Sequence, residues 1–394
     1  MNTLTTGPDE LFAAAVADGQ LPYTGRQIIT FNGDAKTGDM VAALSDLGPM
    51  AAASDWGGSD VDMDQVGDAV TLLFEETGTA ILTPAGMPVG TLSSDMVEAA
   101  PAILSIEPEL FAFPSADPVT AAANATWGLI ATGVLNSKYT GQGIKVAVLD
   151  TGMDLQHPDF VGRLITPSSF VPGQQVQDLH GHGTHCIGTA CGPRAPAKVP
   201  RYGIAHNAHI FAGKVLSNSG IGSVGGILAG INWAIANGCQ VISMSLGSKA
   251  GPQVFYEQAA QRALAAGSLI IAAAGNDSNR PSYIYPTGAP ANSPSVVAVA
   301  ALDVNHNVAT FSNGGKIEIA GPGVDVFSSL PMPRQYGTFS GTSMATPHVA
   351  GIAALIAESN AGYRGAALAA RLKTLAQALP HPVSDVGAGL VQAP

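Results

Sequence analysis

Val146-Ala-Val-Leu-Asp150-Thr-Gly152 is an apolar run that ends in a carboxylate and a turn pair, the pattern of a buried parallel strand with Asp150 at its C-terminal edge. Open α/β sheets gather their chemistry along that edge. Further on, His180-Gly-His182-Gly-Thr-His185 sets glycines on both sides of His182, leaving room for another chain beside the ring, and the small residues that follow can begin a helix. His182 is therefore the candidate base. Gly341-Thr-Ser343-Met-Ala-Thr-Pro-His348 enters a second helix, with Pro347 in its first turn and a small, apolar run over 349–356. A hydroxyl at a helix start meets free N–H groups and the positive end of the dipole, which suit a developing oxyanion.

Around these stretches strands and helices alternate: strands over 144–149, 209–215, 241–245, 269–273 and 296–300, and helices after His182 and over 225–236 and 254–266. The alternation predicts an α/β fold, a mostly parallel sheet flanked by helices, with a central buried helix carrying Ser343. Taken singly, each candidate has an ordinary explanation. An Asp at a strand end commonly caps or turns, a lone His is commonly structural, and Gly-x-Ser-x-Ala arises by chance. Jointly, in the order Asp, His, Ser, they describe a nucleophilic hydrolase. Gly341-Thr-Ser343-Met-Ala345 nearly makes a nucleophile elbow, but α/β-hydrolases run Ser, acid, His, and here Ser343 comes last. His157, His185, His206, His209 and His348 show no ligand spacing joined to a carboxylate cluster and read as structural or surface residues.

On these residues the chain resembles the subtilisin-like serine proteases (subtilases) from about Trp127 to its C-terminus, in motif, order and spacing. His182 follows Asp150 by 32 residues and Ser343 follows His182 by 161, intervals of the family's size. Ile271-Ala-Ala-Ala-Gly275-Asn276 is similar to the strand whose terminal Asn supplies the family's side-chain oxyanion donor. The resemblance implies a serine endopeptidase in which Ser343 attacks, His182 is the base, Asp150 orients it, and Asn276 with the Ser343 N–H holds the oxyanion. Ser245-Leu246-Gly247 and Ser219-Gly220-Ile221-Gly222 resemble the two backbone edges between which a substrate lies as an added strand, with Gly275 beside them. The segment 287–296 places Gly288 at the base of the primary specificity pocket, which leaves room for a large apolar side chain and disfavours strict Arg or Lys specificity. Leu216, Val224, Ile227 and Leu246 either line a second apolar pocket or pack the core.

The chemistry requires no cofactor. Asp159 matches a carboxylate of the family's tight calcium site, but the loop that should complete it, 192–202, offers Arg194, Lys198 and Arg201 in place of Asn or Asp. A hard cation wants several oxygen ligands, so structural calcium is not expected there.

Residues 26–114 read as strand (27–31), helix (38–47), strand (51–55), strand (69–83, turning at Gly78), helix (93–102) and strand (103–113). This βαββαβ order is that of a small α+β, ferredoxin-like unit. The resemblance implies a prodomain that assists folding and inhibits the enzyme from within, its last strand (104–114) leading into the cleft; an independent α+β binding domain is the alternative. Residues 1–25 then form an N-terminal extension, 115–125 a small, polar linker holding the maturation site, and 126–394 the catalytic domain, with no C-terminal accessory domain after the closing Gly387-Ala-Gly-Leu-Val-Gln392.

With 394 residues, of which 46% are hydrophobic and only 12% charged, the chain can bury a large core in two domains. Its net charge of −12 argues against nucleic-acid or anionic-membrane partners. No apolar run of membrane-spanning length is free of Gly and polar breaks. The expected partners are protein or peptide substrates and the chain's own prodomain, and the expected state is a monomer. Residues 1–10 carry no basic n-region or apolar h-region of a secretory signal, which leaves the compartment open between secreted and cytoplasmic. The three cysteines, Cys186, Cys191 and Cys239, are odd in number and read as buried thiols. A latent zymogen and a non-catalytic binding protein on the same scaffold remain as alternatives, which a serine-reactive probe separates.

Overall fold

The computed structural model describes residues 4–17, 22–56, 61, 66, 69–83, 100–114, 117–118 and 125–394. The N-terminal unit holds helices α1 (Pro8–Ala17) and α2 (Thr37–Leu44) and strands β1 (Tyr23–Phe31), β2 (Met50–Ala52), β3 (Thr71–Phe74), β4 (Thr79–Leu82) and β5 (Ile103–Pro114), followed by the short strand β6 (Asp117–Pro118). β1 lies between β5 and β4, antiparallel to both, and β3 follows β4, as in the ferredoxin-like order. β2 is an added parallel edge beside β3. Alternation along β1 sends Ile29 and Phe31 into the unit's own core against Met40 and Leu44, and turns Ile28 to the opposite face.

One expectation needs correction here, and a second lies mostly outside the described residues. The strand over 51–55 stops at Ala52, because the Asp55 carboxylate accepts the Ala52 N–H at 2.8 Å and winds Ala53–Trp56 into a 3-10 turn. Of the helix over 93–102, residues 93–99 lie outside the described residues, and 100–102 form the turn into β5. The linker is described only at 117–118 and 125.

The catalytic unit begins with α3 (Trp127–Ala131) and a seven-stranded, wholly parallel sheet. In chain order its strands are β7 (Lys145–Asp150), β8 (Ile165–Ser169), β9 (His209–Lys214), β11 (Val241–Met244), β13 (Leu269–Ala273), β14 (Val297–Leu302) and β15 (Ile319–Pro322). Two-residue edge strands β10 (Gly222–Ser223) and β12 (Leu246–Gly247) lie outside it, as does the hairpin β16 (Val326–Ser329) and β17 (Tyr336–Ser340). β7 sits between β9 and β11, so the strand order reverses at Asp150 and opens a crevice there.

Helices cover both faces: α4 (His182–Cys191), α7 (Thr342–Ser359) and α8 (Gly365–Leu375) on one, α5 (Val224–Ala236) and α6 (Val254–Ala265) on the other. Alternation along β7 serves both cores, with Val146 and Val148 facing α4 and α7, and Ala147 and Leu149 facing α5. α7 is buried continuously from Thr342 to Ala357, which explains its run of small residues. No helix among the described residues is long and apolar enough to cross a membrane.

Ile28, Leu72, Phe74 and Ile81 of the N-terminal sheet join the core cluster that holds Ile227 of α5 and Phe255 of α6, so the two units pack face to face. The end of β5 then enters the catalytic unit as a strand: Phe111 and Ala112 pair with Ser223 and Gly222, and Phe113 and Pro114 with Gly247 and Leu246, antiparallel on both sides.

Candidate active site

Asp150 ends β7 and is fully buried. His182 opens α4, where Gly181 adopts a φ of +103° that L side chains avoid. Asp178 fixes this turn: its carboxylate accepts the N–H groups of His180, Gly181 and Thr184 and the hydroxyls of Thr151 and Thr184. Gly183 must lack a side chain, since a Cβ there would fall 2.3 Å from Gly152 O. The result is a 2.7 Å bond between His182 Nδ1 and Asp150 Oδ1. Burial disfavours the charged ring, but the Asp150 carboxylate outweighs it and holds the imidazole well above its ordinary 6.5. His182 Nε2 is buried without a hydrogen-bond partner.

Ser343 lies in the first turn of α7. Pro347, four residues on, has no N–H, so the Ser343 carbonyl is free of its helical partner and accepts instead the Ser245 hydroxyl at 2.7 Å. Ser343 Oγ donates back to Ser245 O at 3.0 Å. This pair of bonds ties the helix start to the end of β11. Asn276, past the end of β13, accepts the Thr342 N–H and hydroxyl on Oδ1 at 2.9 and 2.7 Å, which fixes the orientation of its amide. Cys186 lies beneath, with Sγ 3.8 Å from His182 Nδ1, and burial raises its pKa. All three cysteines are buried and free. His185 and His348 are buried on the carbonyls of Val326 and Met344 and pushed down to about 3 and about 4.

The sequence-derived binding residues converge as well. Gly222, Leu246 and Gly247 are the edges paired with β5. Gly220 and Ile221 lie just outside that ladder: Gly220 makes a turn at φ +78°, and Ile221 packs beside Phe111. Leu216, Val224, Ile227 and Leu246 are buried in the cluster that receives Leu110 and Ala112, so they serve as core and as floor beneath β5. Gly275 and Gly288 line a cavity of about 400 Å³ with Leu246, Ala273 and Ala274. Sequence reasoning missed two charged residues on its wall, Lys249 and Asp277, which form a 3.0 Å ion pair.

Also missed were two carboxylates of β5. Glu107 Oε2 accepts the Val254 N–H at 3.1 Å, at the start of α6. Glu109, wholly buried, accepts the Gly225 N–H in the first turn of α5, the Thr24 hydroxyl and the Arg26 Nε–H, each at 2.5 Å. Glycine at 225 leaves room here, as a Cβ would sit 2.2 Å from Ile81 Cδ1 and 2.8 Å from the Glu109 carboxylate and would make those side chains shift.

Asp159 shows a donor set unlike that of a hard cation. Its Oδ2 accepts the hydroxyls of Tyr202 and Tyr336 at 2.5 and 3.0 Å, and Arg201 of the same loop turns to the carbonyls of Gly203 and Ile204. These residues do not fit calcium. Among the described residues the one group of three or more with metal-ligand spacing is Asp150, His182 and Cys186, the candidate acid–imidazole pair and the thiol beneath it.

A buried acid–imidazole pair beside a serine at a helix N-terminus, at the carboxyl edge of a parallel sheet, is the equipment of a serine hydrolase. Residues 141–389 match the profile of the subtilase family, and the chain belongs to it: this is a subtilisin-like serine endopeptidase. Among its relatives, the alkaline elastase YaB of Bacillus sp. (strain YaB) is 40% identical over 304 residues, 76% of this chain and 75% of that one. The alkaline protease of Alkalihalobacillus alcalophilus is 41% identical over the same shares, and subtilisin Savinase of Lederbergia lenta is 42% identical over 69% of this chain and 98% of its own.

Proposed function

We propose that the chain is a latent endopeptidase acting by acyl transfer through Asp150, His182, Ser343 and Asn276. Neutral His182, its Nδ1–H held by Asp150, takes the Ser343 proton on Nε2 as Oγ attacks a peptide carbonyl. For this the hydroxyl turns from Ser245 O to His182. Asn276 and the Ser343 N–H hold the oxyanion, the ring returns its proton to the leaving amine, and water repeats the sequence on the acyl-enzyme. The observation that supports this reading is the buried His182–Asp150 pair, packed through Cys186 Sγ against the Ser343 carbonyl, with Asn276 held on Thr342 next to Ser343. All four groups are intact, which weighs against a non-catalytic scaffold.

Residues 26–114 act as a folding aid and inhibitor, a role supported by β5 lying between β10 and β12 and by the carboxylates it brings to α5 and α6. Within the linker at 115–125, pairing of Pro114 with Leu246 and of Asp117 with Ser340 favours a cut between those two residues. The cavity with Gly288 at its base favours large apolar side chains before the cut. The enzyme acts as a monomer and needs no calcium at Asp159.

A fluorophosphonate probe tests the reading on wild type and Ser343→Ala, with intact mass recorded over time. Labelling together with loss of about the first 115 residues, both absent in the variant, is the expected result. No labelling of the wild type, even after limited trypsin treatment, refutes it.

A further inference from the structure

Helix α1 precedes the ferredoxin-like strands and touches both the enzyme and the strand in its cleft. Leu11, Phe12 and Ala15 close with Ile221 over Phe111. The Phe12 ring meets Phe111 and Phe113 edge-on, with centroids 5.2 and 5.9 Å away. One turn earlier Asp9 reaches the enzyme, where Ser217 donates its hydroxyl to Oδ1 at 2.7 Å and Gln174 donates Nε2–H to Oδ2 at 3.3 Å.

Both donors are oriented by the enzyme itself. Ser217 Oγ accepts the N–H groups of Ser219 and Ile221 at 3.2 and 3.3 Å, so its lone pairs are used and its proton points to an outside acceptor. Gln174 Oε1 accepts the Asn218 N–H at 2.9 Å, which turns its NH2 group outward. Behind them the buried Lys214 ammonium donates to Asn218 Oδ1 and Thr151 O, at 2.9 and 2.6 Å. Burial draws Lys214 down to about 8 against the pull of Asp178, Asp150 and Asp9. Two pre-aimed donors backed by a cation make a receptor for a carboxylate.

We propose that Gln174 and Ser217 form a carboxylate-binding exosite beyond the acyl end of the cleft, and that its ligand is Asp9 of the chain's own N-terminal helix, which with Phe12 straps β5 in place. The proposal rests on the latent-enzyme reading above. A substrate strand lies only in the cleft, whereas the strap holds the N-terminal unit from a second point. It slows release after the cut and leaves the reacting groups alone.

The test uses refolded full-length chain. Intact mass times the cut, and hydrolysis of a chromogenic peptide amide times the onset of activity. Asp9→Asn should shorten the interval between the two by about tenfold or more, the worth of a charged hydrogen bond, and Phe12→Ala by about two- to tenfold, the worth of an aromatic contact, each with the cut rate and final kcat/KM unchanged. Glu10→Gln, at an exposed position of the same helix, should keep the wild-type interval. Asp9→Asn combined with Ser217→Ala should shorten it no further than Asp9→Asn alone, because both remove one contact. A wild-type interval in Asp9→Asn, or effects of Asp9→Asn and Ser217→Ala that multiply, overturns the exosite. Activity in the wild type without any interval overturns the latent-enzyme reading on which it rests.

Discussion

Glu109→Leu is the substitution whose consequences the structure defines best. The carboxylate is fully buried and serves three donors, of which the Arg26 guanidinium is itself only 2% exposed. Removing it leaves a buried cation unpaired, a loss of about 3–5 kcal/mol in buried ion pairs. Arg26→Met in the same chain removes that cation, and what persists is the lost acceptor of the Gly225 N–H and the Thr24 hydroxyl, of which the N–H alone is worth about 1.5–3 kcal/mol as a hydrogen bond to a charged acceptor. The double variant should therefore be more stable than the single one by roughly 1–2 kcal/mol. Urea titration in the Ser343→Ala background, read by limited proteolysis of the N-terminal unit, avoids self-cleavage and gives the differences from midpoint and slope. A single variant within 1 kcal/mol of the parent, or a double variant less stable than the single, would refute the account of Glu109 as both partner to Arg26 and cap to α5.

Asn276→Ala should lower kcat with little change in KM; in subtilisin, a member of this family, loss of the oxyanion-hole Asn costs on the order of 10²–10³-fold, and an unchanged kcat would remove Asn276 from the oxyanion site. Acylation requires neutral His182, so kcat/KM of the matured enzyme should fall as pH drops through a midpoint above 6.5, because Asp150 holds the ring's pKa up. Asp150→Asn should move that midpoint down and lower kcat by about 10⁴; a midpoint that stays put would show that Asp150 does not set it. Chelation should leave the thermal midpoint unchanged, whereas Tyr336→Phe should lower stability by about 1–2 kcal/mol through the lost bond to Asp159. The reverse pattern in a melting experiment would place a cation there.

The central strands of the sheet were legible because burial on both faces leaves near-continuous apolar runs; the strand expected at 269–273 is β13. Asp150, His182, Ser343 and Asn276 could be singled out as candidates because each sits in a short motif whose glycines and proline have local tasks, as Pro347 shows by freeing the Ser343 carbonyl. What escaped was whatever takes its meaning from a distant partner. β10 and β12 are two residues each and become strands only against β5, more than a hundred residues upstream. Asp178 sits in a polar loop, and nothing local marks it as the organiser of the turn before His182. Glu107 and Glu109 read as the polar half of an alternating strand, and the helices they serve lie far along the chain.

Those two carboxylates also explain how a single strand can be held in one register. Residues two apart on a strand share a face, so Glu107 and Glu109 both turn toward the helical layer, one to each helix start. α5 begins at Val224, directly after β10, so the pairing of Phe111 with Ser223 itself sets Glu109 opposite the Gly225 N–H. The helix has no acidic residue in its own first turn, and β5 supplies the missing charge at the positive end of its dipole. A slip of one residue would turn both carboxylates to the other face and would break the cleft ladder and both helix contacts together. On the proposed reading, a substrate strand would match only the ladder. The N-terminal unit adds charges delivered beyond the cleft, and glycine at 225, where a Cβ would fall 2.8 Å from the Glu109 carboxylate, leaves that carboxylate room to reach the N–H.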